Sequence, residues 1–314
     1  MIKSSKVLID AHVHSFDSFL GLVGRGEVRS LKFGKVRYGT GEKFRMLPPS
    51  FVDTNFPGEV LVEYMNWLGV DKAVLCQGNL YGFHNEYTAS LVRRWPQHFT
   101  ACALVDPLLE NSTEVLKYVV EELGFKALKL ELSQLCGLLG LHPQMRLNDS
   151  KLKGFWESFA KYDLPLVLDL GPVGGKGYQL EELEAMLSVH SQLRTVVICH
   201  LGGASKKNET CQYTQERWRE FLSIARNHNF YVDLSALASW FDEEYPCPTA
   251  QKYIRFTFEV LGADRLLWGS DLPTILPRIT YQQALNIVKE HCGYLTPAEK
   301  SLILGENALR AYRF

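Results

Sequence analysis

Eight short apolar runs, most of them about thirty residues apart, limit how this chain can fold more than any other feature of its sequence. Each run has the length and composition of a β-strand, and together they are Val7–Ala11, Lys72–Cys76, Thr100–Val105, Ala127–Leu132, Pro165–Leu170, Thr195–His200, Phe230–Leu234 and Arg265–Gly269. Strands that are apolar throughout are typical of a parallel sheet covered by helices. The spacing between the runs is that of a repeated βα unit.

Segments of helical period lie between most of these runs. In 114–124, one apolar stripe is closed by Gly124 and consists of Val115, Leu116, Val119, Val120 and Leu123. Residues 58–69 and 215–228 show the same pattern. Eight βα units predict an α/β fold of the (β/α)8 TIM-barrel type. An open doubly wound sheet is the alternative, although the glycines of 21–26 lack the spacing of a dinucleotide-binding turn.

A long segment at about 16–57 interrupts the repeat between the first strand and its helix. The alternation of Phe33, Val36 and Tyr38 around glycines predicts a small β-hairpin here. In a barrel this insertion would leave the carboxyl end of strand one, where active sites are built. We expect it to act as a lid, or else as surface decoration or an oligomer contact. Residues 1–314 are expected to form a single barrel domain that carries this insertion.

Composition and charge point to a small-molecule partner. The formal net charge is −1, which gives no electrostatic basis for binding nucleic acid or an anionic membrane. No apolar run approaches the roughly 18 residues of a membrane span, and the first residues lack the apolar core of a secretory signal. The seven cysteines are scattered without CxxC spacing, so we expect free thiols in a reducing compartment and a cytoplasmic protein, with a homodimer as one expected assembly.

Polar side chains stand at the ends of these apolar strands. They are His12 and His14, Lys129 and Glu131, Asp169, His200, Asp233 and Ser235, and Asp271. His12 and His14 are two residues apart, so a strand would direct both imidazoles to one face. A single histidine or aspartate at a strand end is more often a hydrogen-bonded structural residue. The joint pattern around the strand ends predicts a metal-binding or catalytic site, because buried polar groups need solvent, a partner or a metal.

Three motifs resemble a known family. "IDAHVHS" near the N-terminus, "VICHLGG" and "LLWGSDLP" follow one another as in the amidohydrolase superfamily of metal-dependent hydrolases. The closer resemblance is to its amidohydrolase-2 branch, which includes lactonases, hydratases and decarboxylases. It covers nearly the whole chain, including "WPQHFTACALVDP" and "GENALRAYRF".

The resemblance implies a role for each motif residue. His12 and His14 would be ligands of a divalent ion, with zinc expected and manganese as the alternative. Asp271 would be a ligand or the base that takes a proton from the attacking water. His200 would polarise the substrate carbonyl or help hold the water. Many relatives end strand five in a metal-binding histidine, where this chain has Asp169. Asp169 is therefore either an oxygen ligand or a sign of the lactonase-like relatives, some of which need no metal.

The remaining candidates are residues that would contact substrate. They are Lys129, Glu131, Tyr81, His84, Ser235 and Trp240, with Gln77, Asn79 and Asn85 in the loop after strand two. Glu131 could also supply a carboxylate ligand or pair with Lys129. The basic residues of the insertion either steer an acidic substrate or belong to a solvated hairpin, and they are Arg25, Arg29, Lys32, Lys35 and Arg37.

These residues predict a hydrolase that uses metal-activated water. A divalent ion held by imidazoles and carboxylates lowers the pKa of bound water toward 7. The expected target is the carbonyl of a lactone, ester or related group in a small carboxylated substrate. Decarboxylation of an unsaturated or aromatic acid is the alternative reaction on the same site. A barrel that binds a metabolite without turning it over is the alternative outside catalysis.

Overall fold

The computed structural model describes residues 7–314 and contains all eight predicted strands within one parallel sheet. The strands of this range, numbered along the chain, are β1 Ile9–Val13, β2 Leu20–Val23, β3 Gly26–Ser30, β4 Lys35–Tyr38, β5 Lys43–Arg45, β6 Lys72–Leu75, β7 Phe99–Ala103, β8 Ala127–Glu131, β9 Leu166–Asp169, β10 Val196–Ile198, β11 Tyr231–Asp233 and β12 Leu266–Leu267. The parallel sheet runs in the order β1-β6-β7-β8-β9-β10-β11-β12. Val13 bridges Leu272 in parallel orientation, which brings the two edges together. The (β/α)8 barrel is thus confirmed, and the open doubly wound sheet was the wrong alternative.

Helices connect the strands as the hydrophobic periodicity predicts. They are α1 Gly58–Leu68, α2 Asn85–Arg94, α3 Ser112–Lys117, α4 Leu138–Leu141, α5 Lys153–Ala160, α6 Leu180–Val189, α7 His200–Gly203, α8 Gln212–Asn227, α9 Leu237–Phe241, α10 Pro248–Leu261, α11 Tyr281–Lys289, α12 Pro297–Ser301 and α13 Asn307–Tyr312. In α8, the buried Trp218, Phe221 and Leu222 lie on the side that faces the barrel, because their spacing follows the helical period. Among residues 7–314, none of the helices is long and apolar enough to cross a membrane.

The insertion after β1 is larger than the predicted hairpin. It forms an antiparallel sheet in the order β2-β3-β4-β5, in which β4 and β5 make up the predicted hairpin. The amide of Leu20 donates to the carbonyl of Tyr81, and that of Leu22 donates to the carbonyl of Asn79. This small sheet therefore lies against the loop that follows β6. The pairing of β2 with β3 was not predicted, because Gly21 and the exposed Leu20 and Leu22 interrupt the expected alternation.

The inside of the barrel is apolar at one end and polar at the other. The apolar end is filled by Ile9, Ala11, Val74, Ala127, Val167, Val197 and Leu267, together with Ala308 and Tyr312 of α13. Side chains two and four residues further along the same strand faces are polar, as in Lys129 and Glu131 after Ala127. Because the strands are parallel, all of these polar side chains meet at the carboxyl end of the barrel.

A β-bulge in β1 turns its two histidines into the barrel. Asp10 pairs with Ala73 whereas Val13 pairs with Leu75, so β1 carries one residue more than β6 over this stretch. Residues before the bulge face inward at odd positions, as Ile9 does. After the bulge the inward positions are even, and His12 and His14 occupy them.

Candidate active site

His12, His14 and Asp271 bring their ligand atoms together at the carboxyl end of the barrel. The three atoms lie within 4.8 Å of one another, and all three residues are nearly or fully buried. The Nε2 atom of His14 is 3.1 Å from Oδ1 of Asp271, and Nε2 of His12 is 3.9 Å from the same oxygen. Although 257 positions separate His14 from Asp271, barrel closure makes them neighbours.

Hydrogen bonds fix which nitrogen of each imidazole faces this cluster. Nδ1 of His12 is 2.9 Å from the Asp233 carboxylate, and Nδ1 of His14 is 2.9 Å from the carbonyl oxygen of Cys76. Each of these acceptors requires an N–H on Nδ1, which leaves the lone pair on Nε2. This is the orientation that histidine ligands of metal ions adopt.

The geometry and donor chemistry of His14 and Asp271 fit a cation bound between them. Burial lowers the pKa of His14 to about 3, so its imidazole is neutral. Burial alone would raise the pKa of Asp271, but His14 and the other imidazoles hold it at about 2, so the carboxylate is ionised. Nε2 of His14 thus lies 3.1 Å from a carboxylate oxygen, and a cation bound between the two atoms would stabilise this arrangement. The donor set fits a divalent ion such as zinc or manganese.

His200 lies beside this cluster as an imidazolium. Its ring centroid is 4.8 Å from that of His12. Nδ1 bonds Ser235 Oγ at 2.8 Å, and Nε2 is 3.4 Å from Oδ2 of Asp169. Burial alone would lower the pKa of His200, but the Asp169 carboxylate outweighs that effect and raises the pKa to about 9. Trp240 stacks on the ring with centroids 5.4 Å apart and covers it.

Asp169 pairs with His200 and does not belong to the group of converging ligand atoms. Its carboxylate accepts the amide of Gly171 at 2.7 Å. The structure thus places this predicted metal ligand beside the cluster formed by His12, His14 and Asp271, in the described part of the chain.

Lys129 and Glu131 lie in the barrel but bind different partners. The Nζ atom of Lys129 is 3.1 Å from Nε2 of His12, and its side chain is buried. Glu131 accepts the hydroxyl of Ser133 at 2.9 Å. Burial and the Asp169 carboxylate raise the pKa of Glu131 to about 7.

The loop after β6 contributes one of its predicted residues directly to the site. The ring of Tyr81 stacks on that of His14, with centroids 4.3 Å apart. His84 lies further out and bonds the carbonyl of Tyr81. The side chains of Gln77 and Asn85 are hydrogen-bonded to each other. Gln77 also donates to a carbonyl of β7, and Asn85 donates to the carbonyl of the residue that follows β7. The two residues therefore hold the loop to the barrel.

Basic residues of the insertion form ion pairs at the protein surface. Arg25 pairs with Glu42, and Lys32 pairs with Asp53. These contacts are those of a solvated sheet and give no support to the steering of an acidic substrate.

Asp233 is the residue of the site to which the sequence assigned no role. Its fully buried carboxylate accepts the ring N–H of His12, the amide of His200 and both the amide and hydroxyl of Ser235. Burial alone would raise the pKa of Asp233, but His12 lowers it well below its usual range. The sequence feature that points to Asp233 is its position at the end of β11, two residues before the predicted site residue Ser235.

A parallel barrel with a two-histidine, one-aspartate cluster at its carboxyl end defines the class of protein, an enzyme scaffold with a candidate metal centre. Residues 9–314 match the sequence profile of the amidohydrolase family, amidohydrolase-2, and the chain belongs to that family. The family is metal-dependent. No protein of curated function matches the sequence significantly.

Solved structures share this fold over most of the chain. One is a probable 2-pyrone-4,6-dicarboxylic acid hydrolase from Acinetobacter baumannii with citric acid bound, at 20% identity and a TM-score of 0.70, covering 98% of this chain and 99% of that one. Another is an amidohydrolase from Burkholderia multivorans with bound zinc, at 16% identity and a TM-score of 0.65, with coverage of 98% and 99%. A third is 5-carboxyvanillate decarboxylase from Sphingomonas paucimobilis, at 16% identity and a TM-score of 0.55, with coverage of 81% and 82%. At these identities the likeness is one of fold.

Proposed function

We propose that this protein is a metal-dependent hydrolase that opens a lactone, an ester or a related carbonyl group in a small carboxylated substrate. The observation that carries the proposal is the convergence of His12, His14 and Asp271 on one point beside the His200 imidazolium. The first three residues would hold zinc or manganese. When bound there, such an ion lowers the pKa of water toward neutrality and supplies a nucleophile.

Asp271 is placed to receive the proton of the attacking water. Its carboxylate is ionised at neutral pH, as its pKa of about 2 requires. Oδ2 accepts the hydroxyl of Thr274, which fixes the orientation of the group. A general base must be both ionised and oriented, and Asp271 meets both conditions.

His200 is placed to stabilise the negative charge that develops on the carbonyl oxygen. It is protonated at neutral pH, and Ser235 and Asp169 hold its ring from opposite sides. A cation fixed in a buried site stabilises negative charge that develops near it, because no solvent reorganisation is needed. Trp240 stacks on the His200 ring and shields it from water.

Burial and charge support a small carboxylated substrate. His12, His14, His200 and Asp271 are each at most 9% exposed, so a reacting group at this centre would be largely shielded from bulk water. The His200 imidazolium and the Lys129 ammonium are cations that a carboxylate group of a substrate could contact, and a bound divalent ion would add positive charge among the carboxylates of the site. The similar structure from Acinetobacter baumannii belongs to a probable hydrolase of a dicarboxylate and holds citric acid. Lactone opening is favoured over decarboxylation, because strand five ends in Asp169 in place of histidine.

The test is turnover of two substrate classes by metal-free and metal-loaded protein. Sugar-acid lactones and 2-pyrone-4,6-dicarboxylate report hydrolysis by proton release, while 2,6-dihydroxybenzoate and 5-carboxyvanillate report decarboxylation by release of CO₂. We expect hydrolysis that a chelator abolishes and added zinc or manganese restores. Asp271→Asn should lower kcat by about 10²–10⁴-fold. Asp53→Asn, at an exposed carboxylate paired with Lys32, is the matched control.

Each contrary result has a distinct meaning. Release of CO₂ without lactone opening would make the protein a decarboxylase. Full hydrolysis by the metal-free protein would remove the ion from the mechanism. Tight binding of a lactone with no turnover in any metal state would favour a metabolite-binding barrel.

A further inference from the structure

The position of Lys129 bears on how strongly this centre holds a metal ion. Lys129 is on β8 inside the barrel, and only 2% of it is exposed. Its ammonium lies 3.1 Å from Nε2 of His12, the atom through which His12 would bind the ion. A buried ammonium needs an acceptor, and the His12 lone pair supplies one.

His12 cannot serve the ammonium and an ion at the same time. Its Nδ1 carries the proton, because the Asp233 carboxylate lies 2.9 Å away and accepts it. Nε2 therefore has one lone pair in the plane of the ring. An N–H from Lys129 and a metal ion would both lie along that lone pair. Two positive charges so close together in a buried site also repel strongly.

We propose that Lys129 competes with the metal ion for His12 and thereby sets the metal affinity of the centre. In one state the ammonium bonds Nε2 of His12, and in the other the ion takes that position and the ammonium withdraws. Acidic groups that can receive it are near, since Glu131 lies two residues along the same strand face and pairs in register with Asp169. This inference rests on the metal site of the proposed function.

The competition predicts that removing the lysine charge tightens metal binding. Lys129→Met keeps an unbranched side chain of nearly the same length and removes the ammonium. Lys129→Gln replaces the ammonium with a neutral polar amide. Zinc and manganese affinities would be measured by competition with a chromophoric chelator, so the readout does not depend on activity. We expect both variants to bind zinc at least about tenfold more tightly than the wild-type protein. Lys126→Met, at an exposed lysine just before β8, should bind like the wild type.

Two further measurements distinguish a failure of this inference from a failure of the proposed metal site. Circular dichroism and thermal unfolding show whether each variant is folded, and the glutamine variant carries the test if the methionine variant is not. His14→Ala is measured in parallel. If it leaves zinc affinity unchanged, the ion does not bind at this centre and the proposed function fails. If His14→Ala abolishes binding while both folded Lys129 variants bind zinc no more tightly than the wild type, only the competition is refuted.

Discussion

At the scale of single residues, the site depends on the groups behind it as much as on those that face the substrate. Asp233 makes no contact with the converging ligand atoms of His14 or Asp271, yet it orients two catalytic candidates. It fixes the tautomer of His12 through Nδ1 and holds the backbone of His200 where φ is +55°. Carboxylates in this position raise the basicity of a histidine ligand and fix its ring.

Asp233→Asn should therefore reduce both metal affinity and turnover while the site residues themselves are intact. An asparagine of the same shape cannot accept from His12, His200 and Ser235 together, because its Nδ2 is a donor. We expect a fall of about 10–100-fold in zinc affinity and in kcat/KM. Chelator competition and steady-state kinetics measure the two effects. Asp53→Asn serves again as the control, and equal values for both variants would show that Asp233 has no orienting role.

At the scale of structural elements, the insertion is tied to the site through one loop. Strand β2 bonds the carbonyls of Asn79 and Tyr81, and the ring of Tyr81 stacks on that of His14. Contact between β2 and this loop is close because residue 21 is a glycine. A Cβ atom there would lie 2.1 Å from the carbonyl oxygen of Leu80. The small sheet therefore contacts a predicted metal ligand, His14, through Tyr81.

Gly21→Ala should push β2 away from this loop and disturb Tyr81. Overpacking against backbone costs about 1–3 kcal/mol, which we expect as a loss in the free energy of unfolding. We also expect a lower kcat/KM, because the ring on His14 shifts. Denaturant unfolding and kinetics test both expectations. Gly293→Ala is the control, since nothing lies within 4 Å of its added Cβ. A variant as stable and active as this control would show that the insertion is not coupled to the site.

The elements also show what the sequence could and could not predict. The barrel could be predicted from the hydrophobic periodicity, because few other folds contain eight apolar strands separated by amphipathic helices. His12, His14, His200 and Asp271 belong to a larger set of polar residues that stand out at apolar strand ends, and the resemblance of their motifs to the amidohydrolases singled them out. The bulge in β1 and the bond between Lys129 and His12 could not be predicted, because both depend on strand register and barrel closure. Neither leaves a local signal in the sequence.

At the scale of the whole molecule, the site exists only because the barrel closes. The cluster of candidate metal ligands joins β1, which carries His12 and His14, to the segment after β12, which carries Asp271. The amide of Asp271 donates to the carbonyl of His12, and that of His14 donates to the carbonyl of Leu272. These two hydrogen bonds join the first strand to the segment after the last strand and so close the barrel. Anything that loosens the last strand should therefore act on the stability of the whole barrel.

Asn307 at the start of α13 secures the last strand. It is fully buried, and its Nδ2 donates to the carbonyls of Ala263 and Leu266 at 2.7 and 2.8 Å. Asn307→Ala should lower the free energy of unfolding by about 1–3 kcal/mol, since two hydrogen bonds to buried carbonyls are lost.

Turnover per folded molecule should stay near the wild-type value in Asn307→Ala, because Asn307 bonds residues at and before the start of β12, whereas the site lies beyond the end of that strand. Urea unfolding measures the first effect, and kinetics well below the unfolding transition measure the second. Asn227→Ala, at an exposed position at the end of α8, should change neither. If Asn307→Ala were as stable as that control, closure would not depend on this residue. If it were unstable and also slow at low temperature, loosening of the last strand would reach Asp271 even in the folded protein.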